Sequence, residues 1–158
     1  MTRTRRPLAA AILLIALLLA GCSSTVSLEP APSANDPLCA EVMARLPSSV
    51  DGNARRWTDA QSTGAWGNPD AAILFTCGVT PPGPTELRCI RIGGVDWVVD
   101  ESEAPRYRVT TFGREPAVQL YIDNDRVSPN DVLDQFGRIV AGQLPKTGEC
   151  TSPETTGP

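Results

Sequence analysis

The longest feature in the hydropathy pattern is the run Leu8–Ala20, 13 residues with no charged or polar side chain. A helix that crosses a bilayer core needs about 20 such residues, so the run predicts the hydrophobic part of an export signal and not a permanent span. After it the pattern turns helical. Asp36 before Pro37 predicts an N-cap followed by a proline in the first turn. Leu38, Val42 and Leu46 then recur on one helical face, with Cys39 and Met43 beside them, and Pro47 marks the stop. A second helix is predicted after Ser128, with Pro129 in its first position and Asp131 in its first turn. Val132, Phe136, Ile139, Val140 and Leu144 form its apolar stripe.

Between the two helices the spacing shortens to two. A short strand is read over 53–58 around Trp57, and another over 71–77. Gly64–Pro69 reads as a turn-rich approach and Gly78–Pro84 as a loop. The strongest local signal is Arg88–Ile92, Gly93-Gly94, Val95–Val99. Two glycines can take the positive φ values of a two-residue hairpin turn. That turn opposes Ile92 to Val95, Arg91 to Asp96, Ile90 to Trp97 and Cys89 to Val98. Ile90, Ile92, Val95, Trp97 and Val99 then share one apolar side, and Arg91 faces Asp96 on the other. Residues 107–112 and 117–122 supply two further strands. The order predicts an α+β fold: a single small domain with a mostly antiparallel sheet of five or six strands, one N-terminal and one C-terminal helix.

Composition agrees with one core. The chain has 158 residues, 41% of them hydrophobic, with 18 acidic and 14 basic side chains. Arg3, Arg5 and Arg6 precede the apolar run, and Leu19-Ala20-Gly21-Cys22 closes it as a bacterial lipobox. Residues 1–21 therefore read as a lipoprotein signal peptide, and Cys22 as the residue that takes a diacylglyceryl group and becomes the new N-terminus. Two acyl chains hold a protein stably on a membrane where one is marginal. The expected location is the extracytoplasmic face of the cell membrane, with the membrane itself as the first partner. Removing residues 1–21 leaves 11 basic and 18 acidic residues, a net charge of −7. With a single lysine, Lys146, and no basic run, nucleic acid is not an expected partner.

Residues 22–37, rich in Ser, Pro and Ala, read as a tether, within which Val26 and Leu28 alternate with polar residues as an edge strand would. The globular domain is expected over 38–150, and the polar tail 151–158 is expected to be disordered. Four cysteines remain after Cys22, an even number that predicts two disulfides in an exported domain. The expected pairing is Cys77–Cys89, bringing two neighbouring strands together, and Cys39–Cys150, tying the ends of the domain. The alternative, Cys39–Cys77 with Cys89–Cys150, asks a position in the middle of a hairpin to reach the C-terminal tail.

Candidate chemistry is sparse. The chain has no histidine, which removes His-dependent triads, Cys–His dyads and HExxH zinc sites. No CxxC spacing is present and no metal site or cofactor is expected. Asp123, Asp125, Asn130 and Asp131 are out of register with a calcium loop, which needs glycine where Ser128 stands. Asp100, Glu101 and Glu103 precede Pro105 in a loop, where acids are usually solvated. Trp97 is expected in the core. Trp66 in a Gly/Pro-rich stretch and Arg114 in a turn are the candidate binding residues, since aromatics and arginine dominate interaction hot spots.

Several motifs stand in order along the chain: the lipobox, Val26-x-Leu28 with Pro30, a cysteine-bearing helix ending in Leu46-Pro47, and Arg55-Arg56. They continue with Ala65-Trp66-Gly67-x-Pro69, Cys77-Gly78-Val79 and Cys89-x5-Val95-Asp96-Trp97, then Thr111-Phe112-Gly113-Arg114-x-Pro116-Ala117-Val118. This set resembles the domain of unknown function 3515 family, secreted or lipid-anchored proteins of actinobacteria. The resemblance implies a cell-envelope location and no established activity, and it brings no catalytic residues. The leading expectation is a non-catalytic interaction or accessory module, with an envelope protein as partner. A small-ligand-binding domain using the Trp66/Arg114 region is the alternative, and a hydrolase using carboxylates alone is a third.

Overall fold

The computed structural model describes residues 25–151 and 153–155; the apolar run, the lipobox and Cys22 lie outside the described residues. Helix α1 (Pro37–Met43) starts as its cap demands, with the Asp36 carboxylate accepting from the Leu38 backbone N–H at 2.8 Å. Eight strands lie between it and the second helix: β1 (Ser49–Val50), β2 (Asn53–Arg56), β3 (Thr63–Trp66), β4 (Ile73–Val79), β5 (Arg88–Ile92), β6 (Val95–Asp100), β7 (Arg106–Phe112) and β8 (Ala117–Asp123). Helix α2 (Pro129–Gln143) comes next, and the two-residue strand β9 (Glu154–Thr155) ends the described chain. Among the described residues no helix is long and apolar enough to cross a membrane.

The strands form one sheet in the order β1-β2-β3-β4-β8-β7-β6-β5-β9, antiparallel throughout except that β9 runs parallel to β5. The count exceeds the five or six expected. Strand β3 escaped because all four of its residues are buried, so it shows no alternation of apolar and polar positions. Strands β1 and β9 have two residues each, too few to carry a period. The pairing of β9 with β5 also means that the polar tail, expected to be disordered from 151, adds a strand at 154–155.

Each sheet row belongs to one face. Phe75, Leu120, Val109 and Val99 are successive cross-strand partners, and all are buried against the helices. The next row, Thr76, Gln119, Thr110, Val98 and Cys89, faces the other way, with Gln119 Nε2 donating to Thr110 Oγ1 at 3.0 Å. The β5–β6 hairpin has the register that its Gly-Gly turn predicts, from Ile92 opposite Val95 to Cys89 opposite Val98. Both helices contribute to the core: Cys39 and Val42 from α1, and Val132, Leu133, Phe136 and Val140 from α2. Phe136 lies edge-on to Trp66 (centroids 5.1 Å apart) and stacks on Phe75 at 5.6 Å.

This topology overturns the expected disulfides. The bridges are Cys39–Cys77 and Cys89–Cys150, with Cα separations of 5.7 and 6.5 Å. Although Cys77 and Cys89 are close in sequence, β8, β7 and β6 lie between their strands. Four spacings of about 4.8 Å place those strands roughly 19 Å apart, far beyond the reach of a disulfide. The two cysteines also occupy opposite faces. Cys77 pairs with Val118 on the helix-covered face and meets Cys39 of α1, whereas Cys89 stands in the outer row. The C-terminal segment runs along that outer side, which brings Cys150 to it.

The N-terminal segment is part of the fold from Val26 onward. Val26 forms a parallel bridge with Thr58, and its N–H donates to the Trp57 carbonyl at 2.9 Å. Farther on, Ser33 N–H donates to Gly78 O at 3.0 Å, and Ser62 Oγ donates to the buried Ala34 carbonyl at 2.6 Å. The stretch read as a tether over 22–37 is therefore docked on the domain over most of its length.

Helix α2 sits directly on the β5–β6 turn. A Cβ on Gly137 would lie 2.8 Å from both Gly93 Cα and the Ile92 carbonyl oxygen, and Gly93 itself has φ +63°. Helix propensity alone makes Gly137→Ala stabilising by about 1 kcal/mol. The backbone contact reverses the sign: Gly137→Ala is expected to destabilise by about 1–3 kcal/mol, as overpacking does, read by urea denaturation.

Candidate functional site

The two residues that sequence reading favoured for binding are both interior. Trp66 lies on β3 with no exposed surface, and its Nε1–H donates to the Pro47 carbonyl at 3.1 Å. Arg114 follows β7 with only 7% of its surface exposed. Its guanidinium donates to the Leu144 carbonyl at the end of α2 and to the Gly94 carbonyl at 3.3 Å. Burial pushes the guanidinium pKa down, against the pull of the nearby Asp96 charge. Arg114 is thus a clamp that joins the hairpin turn to the C-terminal end of α2, where a cation also meets the negative end of the helix dipole. Both candidate binding residues are thus buried and hydrogen-bonded within the domain. Trp97 is core, as expected, with Nε1–H donating to Ile92 O at 3.1 Å.

The motif around Arg114 has a structural meaning. Gly113 has φ +64°, and a Cβ there would overlap the Gly148 backbone. Thr147 N–H donates to Gly113 O at 2.8 Å, and Arg114 bridges to Lys146, so the chain after α2 is laid beside this turn. Asp96 completes the same corner. Its carboxylate accepts from Arg91 at 2.5 and 2.9 Å and from the Cys150 backbone N–H at 2.9 Å. Burial pushes the Asp96 carboxyl up, but the hydrogen bonds from Arg91 and Cys150 and the charges of Arg91 and Lys146 outweigh it, leaving the pKa lowered.

Several of the other acids are engaged by neighbours. Glu101 pairs with Arg88 at 2.7 Å, and Glu103 pairs with Arg108. The Tyr121 hydroxyl, donating at 2.7 Å, and then Arg108 hold the Glu103 carboxyl below its ordinary range. Tyr121 is pushed up in turn, first by that hydrogen bond and then by burial. Asp123 Oδ1 accepts from the Asp125 N–H at 3.2 Å, as a turn does. Among the described residues no three His, Cys, Asp or Glu side chains are placed to hold a metal ion.

The most exposed large hydrophobic side chain among the described residues is Trp57. It follows β2 and is 77% exposed, beside a groove lined by Met43, Leu46, Arg55 and Thr58. Arg55, two residues earlier, lies with its guanidinium 5.8 Å from the Trp66 ring centroid, stacked over the one core tryptophan that reaches this edge. Arg56 is turned to the other side, donating to the Gly67 and Pro69 carbonyls at 3.2 and 2.7 Å. The backbone of Trp57 is fixed by Val26, and Asp59 fixes the next residues by accepting from Leu28 N–H at 2.9 Å and Ser27 Oγ at 2.8 Å. Those bonds, Leu28 first, lower the Asp59 carboxyl. Sequence reading placed Trp57 in a strand and Arg55 in a motif without joining them. The signal was present: apart from Ala54 and Ala60, no apolar residue stands within four positions of Trp57.

Two outcomes follow from the corner. Arg114→Ala strands the Leu144 and Gly94 carbonyls and is expected to destabilise by on the order of 3 kcal/mol, measured by thermal and urea unfolding. An unchanged melting temperature would return Arg114 to the binding candidates. For Asp96, a lowered folded-state pKa means that its stabilisation is complete above the unfolded value of 3.8 and is lost as pH falls through the lower folded value. The stability gap between wild type and Asp96→Asn should therefore hold from neutral pH down to about the unfolded value of 3.8 and close between there and the lower folded value. A gap that closes near pH 6 would contradict the assignment.

Comparison with known proteins adds a family and nothing further. No curated protein matches the chain, and no solved structure matches it. The family model described as "Protein of unknown function (DUF3515)" matches residues 7–148, nearly the whole length, and spans the Trp66, Asp96 and Arg114 motifs whose structural roles are given above. The chain belongs to the DUF3515 family.

Proposed function

We propose that the chain is a lipid-anchored cell-envelope protein, held through Cys22 at the extracytoplasmic face of the cytoplasmic membrane, and that it acts there as a non-catalytic interaction or accessory module. The observation that carries this reading is the Cys39–Cys77 bridge. Both residues are completely buried, and they join α1 to the sheet inside the core. A disulfide in such a position belongs to an oxidising compartment, which is where a lipobox would deliver the domain. The accessory role is supported by where the polar side chains go: Arg114, Asp96 and Glu103 are spent on holding elements together. A protein partner in the envelope fits this better than a substrate.

Cys22→Ser is the direct test. In cells fed an alkyne-tagged fatty acid, wild type should carry the tag, while the variant should lose it and accumulate as uncleaved precursor or in the medium. A Cys22→Ser protein that still partitions as a mature membrane form would overturn the anchor. Purification of the wild type from detergent-solubilised membranes tests the second half. A stoichiometric protein partner is expected, and a lone protein carrying a bound metabolite would favour ligand binding instead.

A further inference from the structure

We infer that the exposed Trp57–Arg55 surface is a membrane-contact patch that seats the domain on the headgroup layer of an anionic bilayer. The inference rests on the anchored reading above and adds to it an orientation. Its first support is the length of chain between the anchor and the patch. Val26 is hydrogen-bonded to Trp57 O at 2.9 Å and bridged to Thr58. Cys22 is four residues before Val26, and four residues of extended chain reach at most about 14 Å. A free tether over 22–37 would leave the domain at liberty to turn any side to the membrane. Ser27 and Leu28 are instead tied to Asp59, and Ser33 to Gly78, so from Val26 onward the chain is fastened to the domain.

The second support is chemical. Tryptophan with one wet and one apolar side prefers the bilayer–water interface, and arginine close to an anionic leaflet gains attraction. Trp57 is the most exposed large hydrophobic residue described, and Arg55 lies beside it around the same groove. The mature chain as a whole, at −7, is repelled by an anionic surface. A local cationic and aromatic patch is therefore what would decide which side approaches. The nearest acid in sequence, Asp59, has both carboxylate oxygens engaged by Ser27 and Leu28. Two acyl chains already provide the affinity, so a patch that would be too weak to recruit the domain from solution is sufficient to orient it.

Trp66 and Trp97 have no exposed surface, which leaves Trp57 as the tryptophan that quenchers can reach. The full lipidated protein, its diacylglyceryl group verified by intact mass, is reconstituted into phosphatidylcholine vesicles with or without phosphatidylglycerol. On anionic vesicles brominated lipids should quench the Trp57 emission, iodide should lose access to it, and both effects should vanish in Trp57→Phe. Arg55→Gln should lower the ratio of docked to undocked protein about fivefold on anionic vesicles and leave it unchanged on neutral ones. Because Arg55 also covers Trp66, raising the salt concentration on wild-type protein serves as a second reading of the same charge effect. Lipidated protein whose Trp57 stays open to iodide and unquenched by brominated lipid overturns the patch while leaving the anchor standing, and points that surface to a protein partner. Protein whose mass lacks the diacylglyceryl group overturns the anchor and the patch together.

Discussion

The close approach of α2 to the β5–β6 turn is the constraint on which the rest of the structure depends. Two glycines make it possible, Gly137 on the helix and Gly93 in the turn, and neither could carry a side chain without pushing backbone against backbone. With the helix seated there, Phe136 reaches between Trp66 and Phe75, so one ring links strands that are otherwise joined only edge to edge. Arg114 then holds the arrangement at its open end by donating to the Leu144 carbonyl at the helix cap and to the Gly94 carbonyl in the turn. The same corner receives Cys150 through Asp96 and the outer disulfide.

The domain spends its polar chemistry on this closure. Asp96 and Arg114 are the side chains whose burial would cost most if they were left unsatisfied, and each is matched: Asp96 by Arg91 and a backbone N–H, Arg114 by two carbonyls. Motifs that look functional because they contain arginine, aspartate and tryptophan are in this fold the parts that make a small core hold. What they leave outside includes one tryptophan, Trp57, placed where the chain arrives from its N-terminal side.

The two disulfides divide the work between the faces. Cys39–Cys77 pins α1 to the helix-covered side of β4, within the core. Cys89–Cys150 holds the chain that leaves α2 against the outer side of β5, and β9 extends the same contact. Neither bridge joins residues on neighbouring strands. Each fastens a peripheral segment to the sheet, the kind of attachment that a domain with a single modest core lacks from hydrophobic burial alone.

What the sequence by itself determined is local. The first helix follows from its Asp36 cap, both helices from their first-turn prolines and apolar stripes although the Ser128 side chain makes no cap bond, and the hairpin register follows from Gly93-Gly94, because in each case the interacting residues lie within a few positions of one another. The family, too, is legible in the ordered motifs. The sheet order was decided only by the tertiary structure. Strand β8 pairs with β4 and draws β7, β6 and β5 after it, which carries Cys89 away from Cys77 and turns it to the opposite face. Burial of Trp66 and Arg114 has the same origin: a strand covered on both sides loses the alternation that would announce it, and an arginine in a turn is interior only if a distant helix ends above it. Trp57 is the converse case. Its polar neighbours set it apart from the core in the sequence, but its place beside Val26 arises from a contact between segments about thirty residues apart, which no local period encodes.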